Sequence, residues 1–381
     1  MLIEMKLKKL VIISHTEHYL NDDGKAVGWG PTVNEINYLA DYFEEIVHIA
    51  CLLNDKAPLS SNSYSKNNVK FVPISPFGGE SIFDKLGIIK KVPKILKIIS
   101  ENIEFATHVQ LRLPTGIGVF LLPYFSWFRK RTFVFWVKYA GNWAEEEPPI
   151  GYRFQRWFLV QNFAQCKVTI NGFWPDQPSH CISFENPCLT NHQIEYGKKI
   201  AAIKIIEKPY RFVFVGRLED SKGVQRIIEA FKFVNLDDVE SIDFIGNGSK
   251  FEQYKFDACY LGDKVYFHGF LNNNQVHKFL EKAHFFLLPS TASEGFPKVI
   301  AEAACYGTIP IVSNVGSIGH YINNENGFVC KEQNIVSELA DYLQKLYSLN
   351  PIDLKTKSKR TLEIANRFTF ANYLNKLNKI V

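Results

Sequence analysis

The sequence predicts an α/β protein with two domains, each built on a parallel β-sheet covered by helices. Short apolar runs alternate with segments of helical periodicity along the chain, which is the pattern of parallel sheets. With 381 residues the chain is long for a single hydrophobic core. The alternation is interrupted between Asn186 and Lys208 and then resumes. We therefore expect domains over residues 1–190 and 205–358, followed by a helix over residues 359–381.

In the first domain, strands are expected wherever a short apolar run is bounded by polar residues. These are Leu10–Ser14, Ile46–Leu53, Val69–Ile74, His108–Leu111, Thr132–Lys138 and Lys167–Asn171. The first strand is followed by a polar loop that contains Gly28-Trp29-Gly30-Pro31, and a helix comes next. Residues 54–68 are rich in Ser and Asn and are predicted to be a surface loop.

The second domain repeats this alternation. Its strands are expected at Arg211–Val215, Ser241–Ile245, Val265–Phe267, Phe285–Leu288, Ile309–Val312 and Gly327–Cys330.

The composition excludes several classes of protein. Hydrophobic and charged fractions of 46% and 22% are typical of globular proteins, and a net charge of +5 without a nucleic-acid-binding motif gives no reason to expect a nucleic acid partner. Seven scattered cysteines without a C-x-x-C pair favour reduced thiols and a cytoplasmic location. No stretch reaches the ~18 apolar residues of a membrane span, and Leu10–Ile13 is too short for a signal sequence.

The stretch from Leu287 to Val312 predicts strand, turn, helix and strand in succession. Glu294–Pro297 form the turn, with Pro297 expected at the first helical position. The backbone N–H groups near Lys298 and Val299 lack partners within the helix, so an anion is favoured there. Glu294 and Glu302 flank this helix end. The arrangement therefore suits a phosphorylated polyol, whose hydroxyls would donate hydrogen bonds to the carboxylates.

The residues Glu294 to Glu302, EGFPKVIAE, resemble the E-x7-E motif of retaining glycosyltransferases of family 4, the glycosyl transferases group 1. The flanking Phe286-Leu-Leu-Pro-Ser290 and Ala303-x-x-x-Gly307-x-x-Pro310-x-Val312 strengthen the resemblance. It implies the GT-B fold: two Rossmann-like domains with a cleft between them, and a C-terminal helix that crosses back to the first domain.

A second motif, Phe214-Val-Gly-Arg-Leu218 followed by Asp220-Ser-Lys-Gly223, resembles the family's G-R-L-x-x-x-K-G segment. The resemblance implies that Arg217 and Lys222 bind the donor diphosphate and stabilise the charge that develops as the sugar–phosphate bond breaks. The alternative is that both are surface cations paired with Glu219 or Asp220.

The resemblance also assigns the remaining donor contacts. Glu294 would face the donor sugar and act in catalysis with Arg217 and Lys222, and Glu302 would reach the nucleotide ribose. Gly246-Asn-Gly248 resembles a G-x-G turn near the nucleotide, although an ordinary strand-to-helix turn has the same sequence. The predicted donor-binding residues are Gly30, Gly216, Gly246, Phe270, Phe296, Lys298, Val299 and Glu302.

Acceptor-binding candidates follow predicted strands, at the carboxyl ends where an open α/β sheet binds ligands. They are Arg112, Tyr139, Asn142 and Trp143. Arg112 would bind phosphate or orient the acceptor, but it could equally hold a strand end. The aromatic residues could form a sugar platform or belong to the packing.

The chemistry expected from these residues needs no metal, because no D-x-D motif lies at a predicted strand end. We expect a nucleotide-sugar donor, with a UDP-sugar favoured over a GDP-sugar, and a glycan or lipid-linked glycan acceptor in cell-surface polysaccharide synthesis. Transfer would retain the anomeric configuration. The alternative is a non-catalytic subunit that binds nucleotide-sugars and supports a partner glycosyltransferase.

The segment Lys85–Asn102 carries five lysines and predicts a basic amphipathic helix, which Pro93 would kink or divide in two. Its lysines, from Lys85 to Lys97, could contact an anionic membrane surface. A second basic and aromatic cluster surrounds Arg129-Lys-Arg131. The alternative is an ordinary domain helix with its lysines in water.

Overall fold

Two parallel β-sheets, one in each half of the chain, form the framework of the protein. The computed structural model describes residues 7–77, 82–292 and 294–380. The chain divides into a first unit, Met1–Phe184 with Leu374–Val381, and a second unit, Glu185–Tyr373.

The first sheet has seven parallel strands in the order β10-β9-β8-β7-β1-β4-β6. Its central strands are continuous apolar runs because helices cover a parallel sheet on both faces, and Leu10–Ile13 is fully buried. The strands are β1 Leu7–Ile13, β4 Phe43–Cys51, β6 Val69–Ile74, β7 His108–Leu113, β8 Val134–Tyr139, β9 Lys167–Asn171 and β10 Cys181–Phe184.

A small antiparallel sheet occupies the segments that were predicted as polar loops. It consists of β2 His18–Leu20, β3 Ala26–Trp29 and β5 Ser61–Ser63. Gly30 therefore does not lie in an open loop but begins the first helix, where its N–H donates to the Ser60 carbonyl at 3.0 Å. A Cβ at Gly30 would lie 2.7 Å from that carbonyl oxygen, so only glycine permits this close approach.

The helices of the first unit are α1 Gly30–Leu39, α2 Ile82–Ile103, α3 Gly118–Pro123 and α4 Ile150–Val160, with a π-helical turn at Tyr124–Phe128. α2 is continuous, so the predicted division at Pro93 is wrong. The missing N–H of Pro93 faces Ile89 one turn earlier, and both residues are exposed, so water can satisfy the Ile89 carbonyl.

The second sheet has six parallel strands in the order β13-β12-β11-β14-β15-β16. They are β11 Tyr210–Val215, β12 Val239–Ile245, β13 Val265–Phe267, β14 Phe285–Leu288, β15 Ile309–Ser313 and β16 Phe328–Cys330. The apolar run of β14 is fully buried at the centre of this sheet.

Helices cover the second sheet and continue to the C-terminus. They are α5 Asn191–Ile203, α6 Val224–Phe231, α7 Phe251–Asp257, α8 Asn273–Lys282, α9 Lys298–Ala304, α10 Ile318–Tyr321, α11 Ile335–Leu346, α12 Pro351–Ala365 and α13 Phe370–Leu377. The single helix predicted over residues 359–381 is instead two helices joined by a short 3₁₀ turn. α12 belongs to the second unit, and Leu374–Val381 return to the first.

In both sheets the order in which successive strands are added reverses once, and the point of reversal is a topological switch point. In the first sheet the chain passes from β1 to β4 and β6, then crosses to β7 on the other side of β1. In the second it passes from β11 to β12 and β13, then crosses to β14 on the other side of β11. Open α/β sheets bind ligands at the carboxyl ends of strands beside such a switch point. Ligands are therefore expected at the loops after β1 and β7 in the first sheet, and after β11 and β14 in the second.

Within the described residues, no helix is both long enough and apolar enough to cross a bilayer.

Candidate functional site

The two loops beside the switch point of the second sheet carry the residues that are predicted to bind the donor's diphosphate and sugar. One loop follows β11 and leads through Gly216 to Lys222, and the other follows β14 and leads to Glu294. Lys222 and Glu294, 72 residues apart in sequence, form an ion pair here. The Lys222 side chain is only 12% exposed, whereas the Glu294 side chain is 40% exposed, so Glu294 is the more accessible member of the pair.

Further hydrogen bonds hold the same two loops together. The Ser221 carbonyl accepts from the Thr291 N–H at 2.8 Å and from the Ser290 hydroxyl at 3.0 Å. Gly223, directly after Lys222, has φ +91°, and a Cβ there would lie 2.3 Å from the Pro289 carbonyl oxygen. The position of Lys222 is thus set by backbone contacts that leave little room for displacement.

The Glu294 turn is supported from the loop after β15. Gly316 has φ +58°, and a Cβ there would lie 2.0 Å from the Glu294 carbonyl oxygen. The Gly295 carbonyl accepts from the N–H and the hydroxyl of Ser317 at 3.0 and 3.1 Å. The Phe296 ring is buried and stacks on Phe368 at 4.5 Å, so only its backbone could make the predicted donor contact.

Arg217 lies on the same loop as Lys222 but has a different environment. Its guanidinium is 72% exposed and pairs with Glu219 at 3.1 Å. This is the surface pairing that the sequence left open as the alternative for this residue. The partner of Lys222, in contrast, is Glu294 rather than Glu219 or Asp220. Asp220 pairs with Lys250 and accepts from the Tyr254 hydroxyl at 2.6 Å.

Glu302 lies within α9, one turn after Lys298, and is partly buried. Burial raises the pKa of its carboxyl group to about 7, against an opposing effect of the Lys298 ammonium. A group that titrates near neutrality is suited to a ligand that donates hydrogen bonds, since those bonds favour the ionised form. Pro297 caps α9 rather than occupying its first position, and Lys298 and Val299 form its first turn.

The loops after β11 and β12 meet through their glycines. Gly246 has φ +136°, and a Cβ there would lie 1.9 Å from the Gly216 carbonyl oxygen. The Gly246 N–H donates to the Gly269 carbonyl at 2.8 Å, which brings in the loop after β13. Phe270, next on that loop, is exposed. Four of the predicted donor-side positions, Gly216, Lys222, Gly246 and Phe270, therefore lie on loops at the carboxyl edge of this sheet.

In the first unit, Arg112 belongs to a buried ionic cluster. It donates to Glu35 at 2.9 Å and to the Gln110 side chain at 2.7 Å. Lys138 donates to both Glu35 oxygens at 2.7 and 2.6 Å. All three charged side chains are at most 10% exposed. These contacts tie Arg112 to β7 and α1, and through Glu35 to β8, as expected if Arg112 holds a strand end. Arg112 also lies beside the switch point of the sheet.

The other acceptor candidates divide between packing and a cavity. The Tyr139 ring is fully buried and contacts Trp143 edge-on at 5.0 Å, so Tyr139 belongs to the core rather than to a sugar platform. Trp143 lines a cavity of about 380 Å³ together with one face of α4. The Asn142 side chain accepts from the Ala144 N–H at 3.1 Å and so supports the turn that follows it. The cavity walls also include Arg153, Arg156, Trp157, Val160 and Trp174.

Two parts of the site were not anticipated from the sequence. Glu35 was missed as the partner of Arg112 and Lys138, although a glutamate among the apolar positions of α1 was an available signal. Gly316 was missed as the support of the Glu294 turn, although a glycine closely following an apolar strand often marks a tight turn. Among the described residues, no cluster of three or more His, Cys, Asp or Glu side chains could hold a metal ion.

Part of the chain matches a known protein family. Residues 196–364 match the family model of the glycosyl transferases group 1. The chain is 26% identical over 350 residues to a capsular polysaccharide biosynthesis glycosyltransferase, CapM, of Staphylococcus aureus, covering 86% of this chain and 80% of that protein.

Solved structures share the fold at low sequence identity. Sucrose-phosphate synthase from Thermosynechococcus elongatus superposes with a TM-score of 0.67 at 14% identity, covering 98% of each chain. HepE of Anabaena, solved with UDP and glucose, gives a TM-score of 0.65 at 15% identity and covers 97% of this chain and 98% of its own. The two Rossmann-like units have the architecture of the GT-B fold, and the match to the family model lies within the second unit.

Proposed function

We propose that the protein is a retaining glycosyltransferase that moves a sugar from a nucleotide-diphosphate sugar to an acceptor hydroxyl. The observation that carries the proposal is the Lys222–Glu294 pair. It lies beside the switch point of the second sheet, within the region that matches the group 1 glycosyl transferases. A lysine with a largely buried side chain next to a more accessible carboxylate places a group that can bind phosphate beside a group that can bind hydroxyls.

Binding of the donor would break the ion pair between Lys222 and Glu294 and give each residue a new partner. The diphosphate would take Lys222 as its counter-ion, and Glu294 would then accept hydrogen bonds from the donor sugar hydroxyls. Arg217, which is exposed and pairs with Glu219 on its own loop, could turn to the diphosphate at little cost. Both cations would then neutralise the leaving group, so the proposed reaction needs no metal.

In the reaction, the bond between the anomeric carbon and the diphosphate oxygen breaks, and its electron pair leaves with the phosphate. The acceptor oxygen bonds to the same face of the anomeric carbon, and its proton passes to the departing phosphate oxygen. Glu294 stabilises the positive charge that develops on the sugar ring. Attack on the face from which the leaving group departs retains the configuration without a protein nucleophile.

The proposed nucleotide is UDP, and Glu302 would accept from its ribose hydroxyls. The complex of HepE with UDP and glucose supports this choice, because its fold matches over nearly the whole chain. The exposed Phe270 would lie near the base, on the loop that contacts Gly246.

The proposed acceptor is a lipid-linked glycan in cell-surface polysaccharide synthesis, at the cytoplasmic face of a membrane. Similarity to a capsular polysaccharide glycosyltransferase supports the polysaccharide class. The Trp143 cavity supports a saccharide ligand, since aromatic walls with arginines at their edge provide stacking surfaces and hydrogen-bond donors. Lysines of α2 would add attraction to anionic lipid: Lys90, Lys91, Lys94 and Lys97 are exposed, and the side chain of Lys85 lies outside the described part of the structure.

The test is a thermal-shift screen against UDP, GDP, ADP and their common sugars, with and without EDTA, followed by NMR of the product's anomeric configuration. A shift with UDP or a UDP-sugar that EDTA does not change supports the proposal. Nucleotide binding without transfer or donor hydrolysis would indicate a non-catalytic subunit. An inverted product, or a requirement for a divalent cation, would contradict the mechanism.

A further inference from the structure

The surface at the amino ends of β7, β8 and β9 exposes large apolar side chains. These strands are parallel neighbours, so the segments that lead into them lie along one edge of the sheet, opposite the ligand-binding edge. Phe105, before β7, and Phe128, before β8, are both 79% exposed. We define the amino-edge patch as Phe105, Trp127, Phe128, Val134, Trp157, Val160 and Phe163, of which Trp157 and Val160 also line the Trp143 cavity.

Ring contacts make part of this patch continuous and anchor it in the core. Phe163 lies 5.2 Å from Trp157 and 6.4 Å from Trp127, centroid to centroid. Trp127 also packs at 5.1 Å on Phe158, which is fully buried. The exposed rings are therefore held in place by the core. Clustered exposed aromatic side chains of this kind usually mark an interaction surface.

Cations accompany the aromatic side chains, and acids are sparse. The Arg131 guanidinium donates to the Ala164 carbonyl at 2.9 Å, which places it beside Phe163, and Lys130 and Lys167 are exposed nearby in sequence. No Asp or Glu occurs from Phe105 to Ala144 or from Pro148 to Pro175. Glu145–Glu147 precede the amino end of α4, whereas Trp157 and Val160 lie in its last turns. The acids nearest to the patch among the described residues include Glu104, directly before Phe105, Glu101 one helical turn earlier, and Asp176, which lines a cavity together with Trp157 and Val160.

We propose that the amino-edge patch docks on the surface of an anionic phospholipid bilayer. Tryptophan and phenylalanine side chains are stable at the level of the lipid headgroups, and cations beside them are attracted to anionic lipid. A second copy of the chain would bring the same positive charge against itself, so charge complementarity favours lipid over self-association. The proposal gives the membrane-associated function proposed above a specific contact surface, and lipid binding can be measured without any transfer reaction.

The helix α2, whose lysines the sequence singled out, is less suited to insertion. Its apolar residues Ile88, Ile95 and Ile99 are buried in the core of the first unit. Among its described side chains, the exposed face of α2 carries lysines with Ile89 as its one large exposed apolar residue, whereas the amino-edge patch offers cations beside several exposed aromatic side chains. This difference predicts which substitutions abolish lipid binding.

The experiment is co-sedimentation of the full chain with vesicles of phosphatidylglycerol and phosphatidylcholine, or of phosphatidylcholine alone. The wild-type protein should bind the anionic vesicles, more weakly as salt is raised, and should not bind the neutral ones. F105S/F128S removes apolar surface and K130Q/K167Q removes charge, and each should lower the partition coefficient roughly tenfold or more.

Three controls keep the interpretation specific. F233S/F256S changes two exposed phenylalanines of the second unit and should leave vesicle binding unchanged. K90Q/K94Q removes two exposed α2 lysines, and its effect should be smaller than that of K130Q/K167Q. Thermal shift with UDP on the same preparations reports the donor site separately, so loss of that shift would challenge the proposed function and not the lipid contact.

The proposal is overturned if vesicle binding is absent in the wild type, or if it persists in both patch variants. It is also overturned if K90Q/K94Q alone abolishes binding, or if F105S/F128S instead disrupts a dimer in analytical ultracentrifugation.

Discussion

Lys222 and Glu294 form an ion pair between the loops that follow β11 and β14, and the Lys222 side chain is largely buried. A lysine in such a position cannot lose its partner without a replacement, because a desolvated charge is costly when it is unpaired. A donor diphosphate would be that replacement. The pair therefore has the properties of a site in which the resting carboxylate holds the cation in place until an anionic ligand arrives.

Removal of the Lys222 ammonium should abolish most of the turnover. K222A is expected to lower kcat with a UDP-sugar by roughly 100-fold or more, since a charge that stabilises the leaving group contributes several kcal/mol to the transition state. R217A should lower it as well, because the proposed donor complex uses both cations. Steady-state kinetics with each variant measures this directly.

The control is K198A, which breaks an exposed ion pair with Glu195 in α5 of the same unit. It should have wild-type kinetics, since such pairs contribute little. Near-normal turnover in both K222A and R217A would remove the diphosphate assignment.

Glu302 should make nucleotide affinity depend on pH. Its pKa is raised to about 7, and ribose hydroxyls that donate to the carboxylate favour the ionised form. UDP should therefore bind roughly tenfold more weakly at pH 6 than at pH 8. Isothermal titration calorimetry at the two pH values measures the difference, and E302Q should flatten it. An equally steep pH dependence in E302Q would place the titrating group elsewhere.

The same carboxyl group should affect stability with the opposite sign. Because its folded-state pKa lies above the model value of 4.5, its contribution is most favourable below pH 4.5 and is lost as pH rises towards 7. At pH 8 the E302Q variant should be more stable than the wild type, by roughly 1–2 kcal/mol. Urea unfolding of both proteins at pH 5 and pH 8 tests this. A loss of stability in E302Q at pH 8 would show that ionised Glu302 makes favourable contacts.

The sequence predicted the parts of the fold and site that depend on local pattern. Val69–Ile74, Lys167–Asn171, Val265–Phe267 and Phe285–Leu288 are strands with the predicted bounds, because each is a short apolar run between polar residues. The loops of Lys222 and Glu294 follow predicted strands for the same reason.

Contacts between distant segments could not be predicted in this way. Glu35 meets Arg112 and Lys138 across 77 and 103 residues, and no local pattern encodes that meeting. The three-stranded sheet β2-β3-β5 was missed because its strands are only three or four residues long, too short to show a periodic pattern. Such strands are specified by their pairing with one another, which is a tertiary property.

Loss of the Glu35 charge should destabilise the first unit strongly. E35Q leaves Arg112 and Lys138 buried without their shared carboxylate, and breaking a buried ion pair costs about 3–5 kcal/mol. Chemical unfolding measures the loss. The matched control is D41N, which breaks the exposed Lys66–Asp41 pair of the same unit and should change stability by less than about 1 kcal/mol. Equal stability of E35Q and wild type would mean that the two cations find other counter-charges.

A methyl group at Gly246 should damage the donor site through the backbone. In G246A the new Cβ would lie 1.9 Å from the Gly216 carbonyl oxygen, at φ +136°, so the loops after β11 and β12 must separate. We expect a loss of roughly 1–3 kcal/mol in unfolding free energy together with weaker UDP binding. G262A is the control: Gly262 also has positive φ, +60°, but a Cβ there has no neighbour within 4 Å. It should lose some stability from backbone strain and bind UDP normally. If both variants weaken UDP binding equally, general destabilisation explains the effect. If only G246A does, the contact between Gly216 and Gly246 is part of the donor site.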